Sequence, residues 1–363
     1  MNKESVIIIG AGLSGLTLSH RLSQQGFEVT VLEARERIGG RILSQDVDAS
    51  CHASVDLGPS WVWPQFQARL SGLLDELGID VFPQFTDGDS LYELQGGRVE
   101  RHASPSAHAQ SYRIVGGAQA LVNKLFEESV AGVHLNAKVL SIDAETKTVV
   151  ALKDENEVVY KADRVISAIP LRLLAETVDI QPDIEAEFMK QWQSVPTWMA
   201  GHCKMVFVYA APFWREQGLS GEVFSHHGPL SEIYDGSPYS EEVNAAGFAL
   251  TSFVGLTALQ RKGLSSSQLI DACLSQLEQL FGAQAKKVEQ VLIKDWAVEA
   301  ETSRPADLSG PHQHPQCPGS LPRQFLDGYL SIAGTEAAVE YGGYIEGALE
   351  SADVIVQLSQ NWN

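Results

Sequence analysis

Short apolar runs alternate with a helical repeat at the beginning of the chain. The β-branched run at residues 6–9 predicts a buried strand, and the amphipathic stretch at 13–25 predicts a helix. Gly26 ends this helix, and residues 29–33 form a second strand-like run that ends in an acid. The order strand, helix, strand predicts a βαβ unit with two parallel strands.

The remaining pattern continues this mixture of elements, without repeats or low-complexity linkers. Helical spacing of apolar residues predicts helices at 70–77, 118–129 and from 345 onward. Alternating or continuous apolar runs predict strands at 133–142, 203–209 and 330–333, and hairpins near 91–99 and across 148–160. This pattern indicates an α/β fold that begins at the N-terminus.

The turn after the first strand has the spacing of a dinucleotide-binding turn. Gly10 permits a tight turn, Gly12 allows a pyrophosphate to approach the backbone, and Gly15 allows the helix to pack on the strand. The phosphates would then lie at the positive end of the helix. Glu33 follows about twenty residues later, where a carboxylate can accept both ribose hydroxyls. A chance glycine-rich turn is the alternative, and the complete βαβ context disfavours it.

Length and composition are typical of a soluble two-domain protein. At 363 residues the chain exceeds the roughly 250–300 at which a single core stops growing. It has no apolar run of the ~20 residues that span a membrane, and its first strand begins too early for a secretory signal. A formal charge of −20 argues against binding to nucleic acids or anionic membranes.

The cysteines favour a cytoplasmic location. Cys51, Cys203, Cys273 and Cys317 are scattered and show no CxxC spacing. Such spacing indicates reduced thiols rather than a disulfide framework.

Residues 32–41 distinguish between cofactors. They read Leu-Glu-Ala-Arg-Glu-Arg-Ile-Gly-Gly-Arg and resemble the LEAxxRxGGR segment of the flavin-containing amine oxidase superfamily, of monoamine oxidase and polyamine oxidase type. Gly40 and its neighbour allow a second close backbone approach, and Arg35 and Arg41 place cations near a dianionic pyrophosphate. A basic surface turn is the alternative, which the position directly after the βαβ unit disfavours.

Further segments resemble this superfamily in order and spacing. Residues 56–61 match its D-x-G-x-x-W turn and 113–117 its R-I-x-G-G element, while Val139 holds the position of a valine that lies against the adenine. Residues 162–170 and 294–298 resemble two of its strands. Near the C-terminus, residues 333–336 match an A-G-T/D-E turn and 343–348 a G-Y-x-E-G-A helix start. The chain is therefore identified as resembling a small, soluble, bacterial-type member of the superfamily.

A lysine on an apolar strand is the central catalytic candidate. Lys204 lies in a run that ends in a Pro-Phe-Trp corner, where the superfamily carries a lysine that reaches a water bonded to the flavin N5. Burying a lysine without a role costs free energy, which favours a functional position. The alternative is an edge strand with Lys204 in solvent.

The resemblance implies a fold and a set of site residues. The fold is α/β, with a Rossmann-like FAD-binding domain (GR2-type), a discontinuous mixed α+β substrate domain and a reduced helical cap. Glu336 would accept from ribityl or pyrophosphate-side hydroxyls, Tyr344 would stand against the flavin face, and the helix dipole from Ile345 would stabilise negative charge at N1–C2=O. The implied catalytic residues are Lys204, Tyr344 and Trp296, and the implied FAD contacts are Gly10, Gly12, Ser14, Gly15, Glu33, Ala34, Arg35, Gly40, Arg41, Gly58, Pro59, Ser60, Val139, Gly334, Thr335, Glu336, Gly343, Tyr344 and Ile345.

The sequence departs from the superfamily pattern at three places. Residues 302–307 contain no cysteine where the membrane monoamine oxidases attach their flavin, which implies non-covalent FAD. Pro305 and Ala306 replace the second tyrosine of the substrate sandwich, so that wall is missing or comes from Trp61, Trp198 or Trp296. Trp63 replaces the histidine of the polyamine oxidases, which disfavours that subgroup.

The segment 61–112 is too short for the long helical insertion that caps the larger relatives, so we expect a thin cap. Trp61, Trp63, Phe66, Phe82 and Phe85 form either an aromatic wall over the flavin or ordinary packing, and packing is at least as plausible for most of them.

Two groups of histidines could be functional or could simply lie on the surface. The run 312–314 with Cys317 lies among prolines and is interpreted as a surface turn, because no fourth ligand for a metal is evident. His226 and His227 face either the active site or solvent.

These observations predict an enzyme that oxidises an amine to an imine, which water converts to an aldehyde or ketone, while O2 is reduced to hydrogen peroxide. The alternatives are a C–C or ring desaturase of the same superfamily and a flavin-binding regulatory protein without turnover. We expect residues 1–66, 109–190 and 292–363 to form the FAD-binding domain, and 67–108 and 191–291 the substrate domain. No metal is expected, and the sequence leaves open whether the protein forms a homodimer.

Overall fold

The computed structural model describes residues 4–48, 53–103, 106, 108, 110–239, 247–308 and 314–362. The strands are β1 (Ser5–Ile9), β2 (Glu28–Leu32), β3 (Ser44–Asp48), β4 (Ala53–Asp56), β5 (Val81–Pro83), β6 (Asp89–Glu93), β7 (Val99–His102), β8 (Tyr112–Ile114), β9 (Gly132–His134), β10 (Ala137–Asp143), β11 (Thr148–Lys153), β12 (Asn156–Lys161), β13 (Arg164–Ser167), β14 (Asp179–Gln181), β15 (Cys203–Tyr209), β16 (Leu219–Ser225), β17 (Leu230–Asp235), β18 (Phe248–Val254), β19 (Gln290–Asp295), β20 (Gln324–Phe325) and β21 (Leu330–Ile332).

The α-helices vary from one turn to four turns in length. They are α1 (Leu13–Gln24), α2 (Ala68–Leu77), α3 (Gln119–Glu128), α4 (Leu171–Thr177), α5 (Ala186–Ser194), α6 (Phe213–Glu216), α7 (Ala258–Lys262), α8 (Ser266–Phe281) and α9 (Ile345–Ser359). Within the described ranges, no helix has both the length and the apolar character needed to span a bilayer.

The predicted βαβ unit forms the centre of a six-stranded sheet. Its strand order is β20-β21-β13-β1-β2-β9, and β1 pairs in parallel with both β2 and β13. Helix α1 packs very closely on β1, because a Cβ placed on Gly15 would lie 1.9 Å from the carbonyl oxygen of Gly10. Gly15 therefore has the packing role that the sequence predicted for it.

The single strand expected at 133–142 is instead two strands, so that prediction was wrong. Asn136 adopts a left-handed conformation with φ 54°, which breaks the extended backbone between β9 and β10. The N–H groups of Asn136 and Ala137 donate to the carbonyl oxygens of Arg35 and Glu33 at 3.0 and 2.8 Å. As a result, β9 joins the six-stranded sheet while β10 joins a four-stranded sheet of order β12-β11-β10-β14.

A seven-stranded sheet forms the second part of the molecule. Its order is β19-β15-β18-β17-β16-β6-β7, and β15 lies inside it between β18 and β19. One face buries Met205 and Phe207 of β15 in a core that also contains Cys273 and Leu277 of α8. The opposite face carries Lys204, which is fully buried.

Two elements cross the domain boundaries expected from the sequence. Strand β19 begins before residue 292 and pairs with β15 of the seven-stranded sheet. The strand also ends at Asp295, so that Trp296 lies in the following 3-10 turn rather than on the strand. Helix α2 buries Leu70 and Leu77 in the same core as α1, α3 and α9.

Candidate active site

A cavity runs from the βαβ turn to the seven-stranded sheet. At the first end its lining includes the β1–α1 turn, the residues after β2 and the side of β10. At the second end it is lined by residues 58–61, by β17 and β18, and by the start of α9. The sequence-predicted residues that line it are Gly10, Gly12, Ser14, Glu33, Ala34, Arg35, Gly40, Arg41, Gly58, Pro59, Ser60, Val139, Trp296, Gly334, Thr335, Gly343, Tyr344 and Ile345.

Gly12 leaves open space at the N-terminus of α1. Its φ of −74° is available to any residue, so the backbone does not require glycine there. A Cβ on Gly12 would meet no protein atom closer than the Gly39 carbonyl oxygen at 4.0 Å. The absence of a side chain at Gly12 therefore keeps the cavity open and is not needed for the packing of the protein. This geometry fits a dinucleotide pyrophosphate, which needs close approach to the N–H groups at a helix N-terminus.

Glu33 is held rigidly at the end of β2. Its two carboxylate oxygens accept from the N–H groups of Ala11 at 2.7 Å and Arg35 at 2.9 Å. A carboxylate has about four acceptor positions, so Glu33 retains capacity for ribose hydroxyls. The guanidinium of Arg35 also donates to Thr302 at 2.6 Å, and it lies 3.7 Å from Glu33.

Glu336 lies behind the cavity wall, which differs from the expected contact with cofactor hydroxyls. Its oxygens accept from Arg41 at 2.5 and 2.8 Å and from the N–H of Trp198 at 3.2 Å. The carboxylate is 1 % exposed and is not part of the lining. Glu336 therefore orients Arg41, which does line the cavity.

Lys204 lies one layer beneath the cavity surface. Its ammonium donates to the carbonyl oxygen of Gly58 at 2.8 Å and to the hydroxyl of Ser60 at 2.6 Å. Both of these residues line the cavity, whereas Lys204 itself does not. Burial lowers the pKa of the Lys204 ammonium from 10.5 to about 7, against a smaller opposing effect of Asp56. The solvent-exposed edge-strand alternative was wrong, because β15 is an interior strand.

Two tryptophans border the region around Lys204. The ring of Trp61 lies 5.8 Å from the Lys204 ammonium, and Trp296 is fully buried with its indole N–H donating to the Leu57 carbonyl oxygen at 3.1 Å. Trp63 also lines the cavity, as does Trp198. The other predicted wall residues, Phe66, Phe82 and Phe85, do not line it, and Phe66 is 65 % exposed.

A three-ring stack lies at the start of α9. The imidazole of His314 is stacked on Tyr344 with ring centroids 4.3 Å apart, and Trp198 is stacked on its other side at 3.7 Å. Gly343 makes room for this stack, because a Cβ there would lie 2.7 Å from Nδ1 of His314. The interpretation of His314 and Cys317 as parts of a surface turn was therefore wrong, since His314 lines the cavity and Cys317 is buried. His312 and Gln313 lie outside the described residues.

Sequence reasoning missed a second group of lining residues. They are His108, Glu232, Tyr234, Phe253 and His314. Glu232 and Tyr234 alternate along β17, and this was the only sequence signal that would have placed them on one face. His226 and His227 are exposed to solvent and do not line the cavity.

The fold and the cavity define the class of protein. The βαβ dinucleotide site opens into an aromatic chamber, the part of the cavity lined by Trp61, Trp63, Trp198, Tyr234, Phe253 and Tyr344. The seven-stranded sheet with the buried Lys204 lies beneath this chamber. Such an arrangement is typical of a two-domain dinucleotide-dependent oxidoreductase. The model of the family described as flavin containing amine oxidoreductase matches residues 102–354, and that of the NAD(P)-binding Rossmann-like domain matches residues 8–77. The chain belongs to the flavin-containing amine oxidoreductase family, and its cofactor is FAD.

Individual relatives agree with this assignment. The chain is similar to a probable flavin-containing monoamine oxidase A of Dictyostelium discoideum, with 26 % identity over 95 % of each chain. Its fold is similar to wild-type putrescine oxidase bound to putrescine, with a TM-score of 0.80, 22 % identity and 98 % of each chain covered. It is also similar to cyclohexylamine oxidase from Brevibacterium oxydans, with a TM-score of 0.79, 20 % identity and coverage of 99 % of this chain and all of the other.

Proposed function

We propose that this protein is an amine oxidase that converts a primary or secondary amine to an imine with O2 as the electron acceptor. The observation that carries the proposal is the continuity of one cavity from the Gly12 opening to the aromatic chamber above Lys204. FAD held in this cavity would supply a two-electron acceptor for hydride from the α-carbon of the amine, with O2 as the final acceptor and hydrogen peroxide as its product. The imine is then hydrolysed to an aldehyde or ketone.

The residues of the chain have separate tasks in this proposal. Glu33 and the N-terminus of α1 hold the dinucleotide. Tyr344, which lines the cavity and is 39 % exposed, offers the amine an attractive aromatic face at the start of α9. Lys204 donates to the hydroxyl of Ser60, which lines the cavity. Its pKa of about 7 allows the Lys204 side chain to exchange protons near neutrality. The three described cysteines are free and buried, which supports a reducing, cytoplasmic setting.

A panel of amines tests the proposed function directly. Under anaerobic conditions we expect at least one amine to bleach the flavin absorbance, and admission of air to restore it with formation of hydrogen peroxide. A ring or C–C desaturase would be reduced by an unsaturated or cyclic hydrocarbon substrate and not by amines. A regulatory flavoprotein would be reduced by neither.

The flavin is expected to be released completely as FAD when the protein is precipitated with acid. Residues 302–307 contain no cysteine, and no described cysteine lines the cavity. The measurement is the absorbance of the supernatant and of the redissolved pellet. A pellet that keeps the flavin would contradict the non-covalent attachment.

Replacement of Tyr344 by alanine is expected to reduce kcat/KM for the best amine by about ten- to thirtyfold. A tyrosine face attracts a partly desolvated amine by on the order of 1–2 kcal/mol, and about 1.4 kcal/mol corresponds to a factor of ten. Tyr344→Phe keeps the ring and should lose much less. Tyr341→Ala is the matched control, because the Tyr341 hydroxyl donates to the Phe66 carbonyl oxygen at 3.1 Å and the residue does not line the cavity. Equal rates for Tyr344→Ala and the parent would contradict the wall assignment.

A further inference from the structure

Strand β12 forms one edge of the four-stranded sheet. It pairs with β11 along one side, and no strand in the described part of the chain pairs along its other side. Glu157, Val159 and Lys161 are exposed on one face of β12, and Val159 has 61 % of its surface exposed. An open edge presents unpaired N–H and C=O groups, which can pair with a strand of another chain.

The ladder between β11 and β12 determines which backbone groups face outward. The N–H of Ala162 donates to the carbonyl oxygen of Lys147 at 3.3 Å, one position beyond the last pair of the register. Hydrogen-bonded and non-hydrogen-bonded pairs alternate along an antiparallel ladder. Glu157, Val159 and Lys161 therefore belong to the non-hydrogen-bonded pairs. Their N–H and C=O groups point away from β11, towards the open edge.

The same edge carries one charge of each sign without a partner. Glu157 and Lys161 take part in none of the ion pairs formed by the described residues. The edge strand β7 of the seven-stranded sheet differs in this respect, because its Glu100 pairs with Arg98 at 2.5 Å. Both charges of β12 are therefore available to a second molecule.

We propose that two copies of this protein associate through β12, antiparallel to each other and with Val159 on the two-fold axis. Glu157 of each copy is then opposite Lys161 of the other, because both residues lie two positions from Val159. Each outward N–H meets a carbonyl oxygen of the second copy, and the two four-stranded sheets become one continuous sheet. This inference is independent of the proposed amine oxidation.

Self-complementarity identifies a second copy as the occupant of the edge. A central valine flanked at equal distances by an acid and a base matches its own antiparallel image, since opposite charges face each other at both ends. The neighbouring registers place Val159 opposite one of the charged residues and separate Glu157 from Lys161. The charges therefore select the register as well as the partner.

Analytical ultracentrifugation of the FAD-loaded protein tests this pairing. We expect the mass to rise with concentration from one chain towards two, with a Kd of about 10–100 μM, because so short a strand forms a small interface. Glu157→Lys places like charges opposite each other at both ends and should weaken dimerisation at least about tenfold. Combining Glu157→Lys with Lys161→Glu exchanges the two charges and should restore the affinity of the parent.

Glu127→Lys is the matched control. Glu127 is exposed on α3, away from β12 in the chain, and its replacement changes the net charge by the same amount. The formal charge of −20 repels two copies at long range, and both single variants reduce this repulsion. Weaker dimerisation in Glu157→Lys alone would therefore report the local charge pair.

Val159→Pro tests the contribution of the backbone. The N–H of Val159 faces the open edge, so proline removes no bond of the β11–β12 ladder but removes the central bond of the pairing. We expect this variant to bind FAD and to remain a single chain. Should proline disturb the fold, the charge-exchange variant still decides the question. A parent that stays a single chain at every concentration would overturn the proposal, as would a dimer with the same Kd in Glu157→Lys and the parent.

Discussion

Replacement of Lys204 by methionine is expected to leave FAD bound and to slow reoxidation of the reduced enzyme by O2 about a hundredfold, at the lower end of the effects of a positioned proton-handling group. Lys204 is fully buried and donates to Gly58 and Ser60, which line the cavity. Methionine has a similar length and fits an apolar site, so the fold should be retained. Stopped-flow absorbance of the flavin measures both half-reactions.

The pH dependence of this step gives a second readout. Because burial lowers the pKa of Lys204 to about 7, the side chain is an ammonium below pH 7 and a neutral amine above it. If the ammonium is the proton donor, the reoxidation rate of the parent should fall as the pH rises through 7. The profile of Lys204→Met should show no inflection there. A rate and pH profile equal to the parent's in both half-reactions would show that Lys204 is only structural.

Lys294→Met is the matched control for this prediction. Lys294 is directly opposite Lys204 in the sheet register, but its ammonium pairs with Glu299 and the residue does not line the cavity. We expect its effect on reoxidation to stay within about threefold, because the Lys294 ammonium is held by Glu299 and does not donate to Gly58 or Ser60, the cavity-lining partners of Lys204. A similar loss in both variants would indicate a general disturbance of the sheet.

Replacement of Gly12 by alanine is expected to weaken FAD binding by about ten- to hundredfold without lowering the stability of the apoprotein. The added methyl group meets no protein atom within van der Waals contact, because the Gly39 carbonyl oxygen is 4.0 Å away. It occupies instead the space where a pyrophosphate must approach α1. Overpacking of this kind costs about 1–3 kcal/mol, and about 1.4 kcal/mol is a tenfold change in Kd.

Gly72→Ala is the control for Gly12→Ala. Gly72 lies on the exposed side of α2, and a Cβ there meets nothing within 4 Å. Alanine in a helix is favoured over glycine by roughly 0.5–1 kcal/mol, so this variant should be slightly stabilised and should bind FAD normally. Thermal unfolding of both apoproteins and flavin titration of both variants are the measurements. Normal FAD affinity in Gly12→Ala would contradict the pyrophosphate position.

The dinucleotide site could be predicted from the sequence because its parts are close together in the chain. Gly10, Gly12 and Gly15 lie in one turn, and Glu33 follows at the end of the next strand. Their roles depend on local backbone geometry and on helix packing, both of which leave a short-range signal. The family resemblance extended this prediction to the C-terminal turn and to Lys204. The family, the FAD cofactor and the overall α/β architecture followed from these segments.

Where contacts connect distant segments, the sequence was a poorer guide. Glu336 matches the superfamily pattern, yet its carboxylate is occupied by Arg41, almost three hundred residues away in the chain. The position of Asn136 breaks a run whose alternation of apolar residues continues without interruption, because the alternation does not encode a left-handed φ. His314 lies in a proline-rich segment, and only its packing between Trp198 and Tyr344 places it in the cavity wall.

The sequence by itself predicted the dinucleotide site and the strand that carries Lys204 from local spacing and hydrophobic periodicity, and the cofactor and the family from motifs that resemble those of known flavoproteins. The tertiary structure alone decided which distant residues come together in the cavity wall. Strand pairing places Glu232 in line with Lys204, and ring packing places His108 beside Trp61 and Tyr234. Cross-strand register and ring stacking arise from the free energy of the whole packed chain, so no local pattern specifies them.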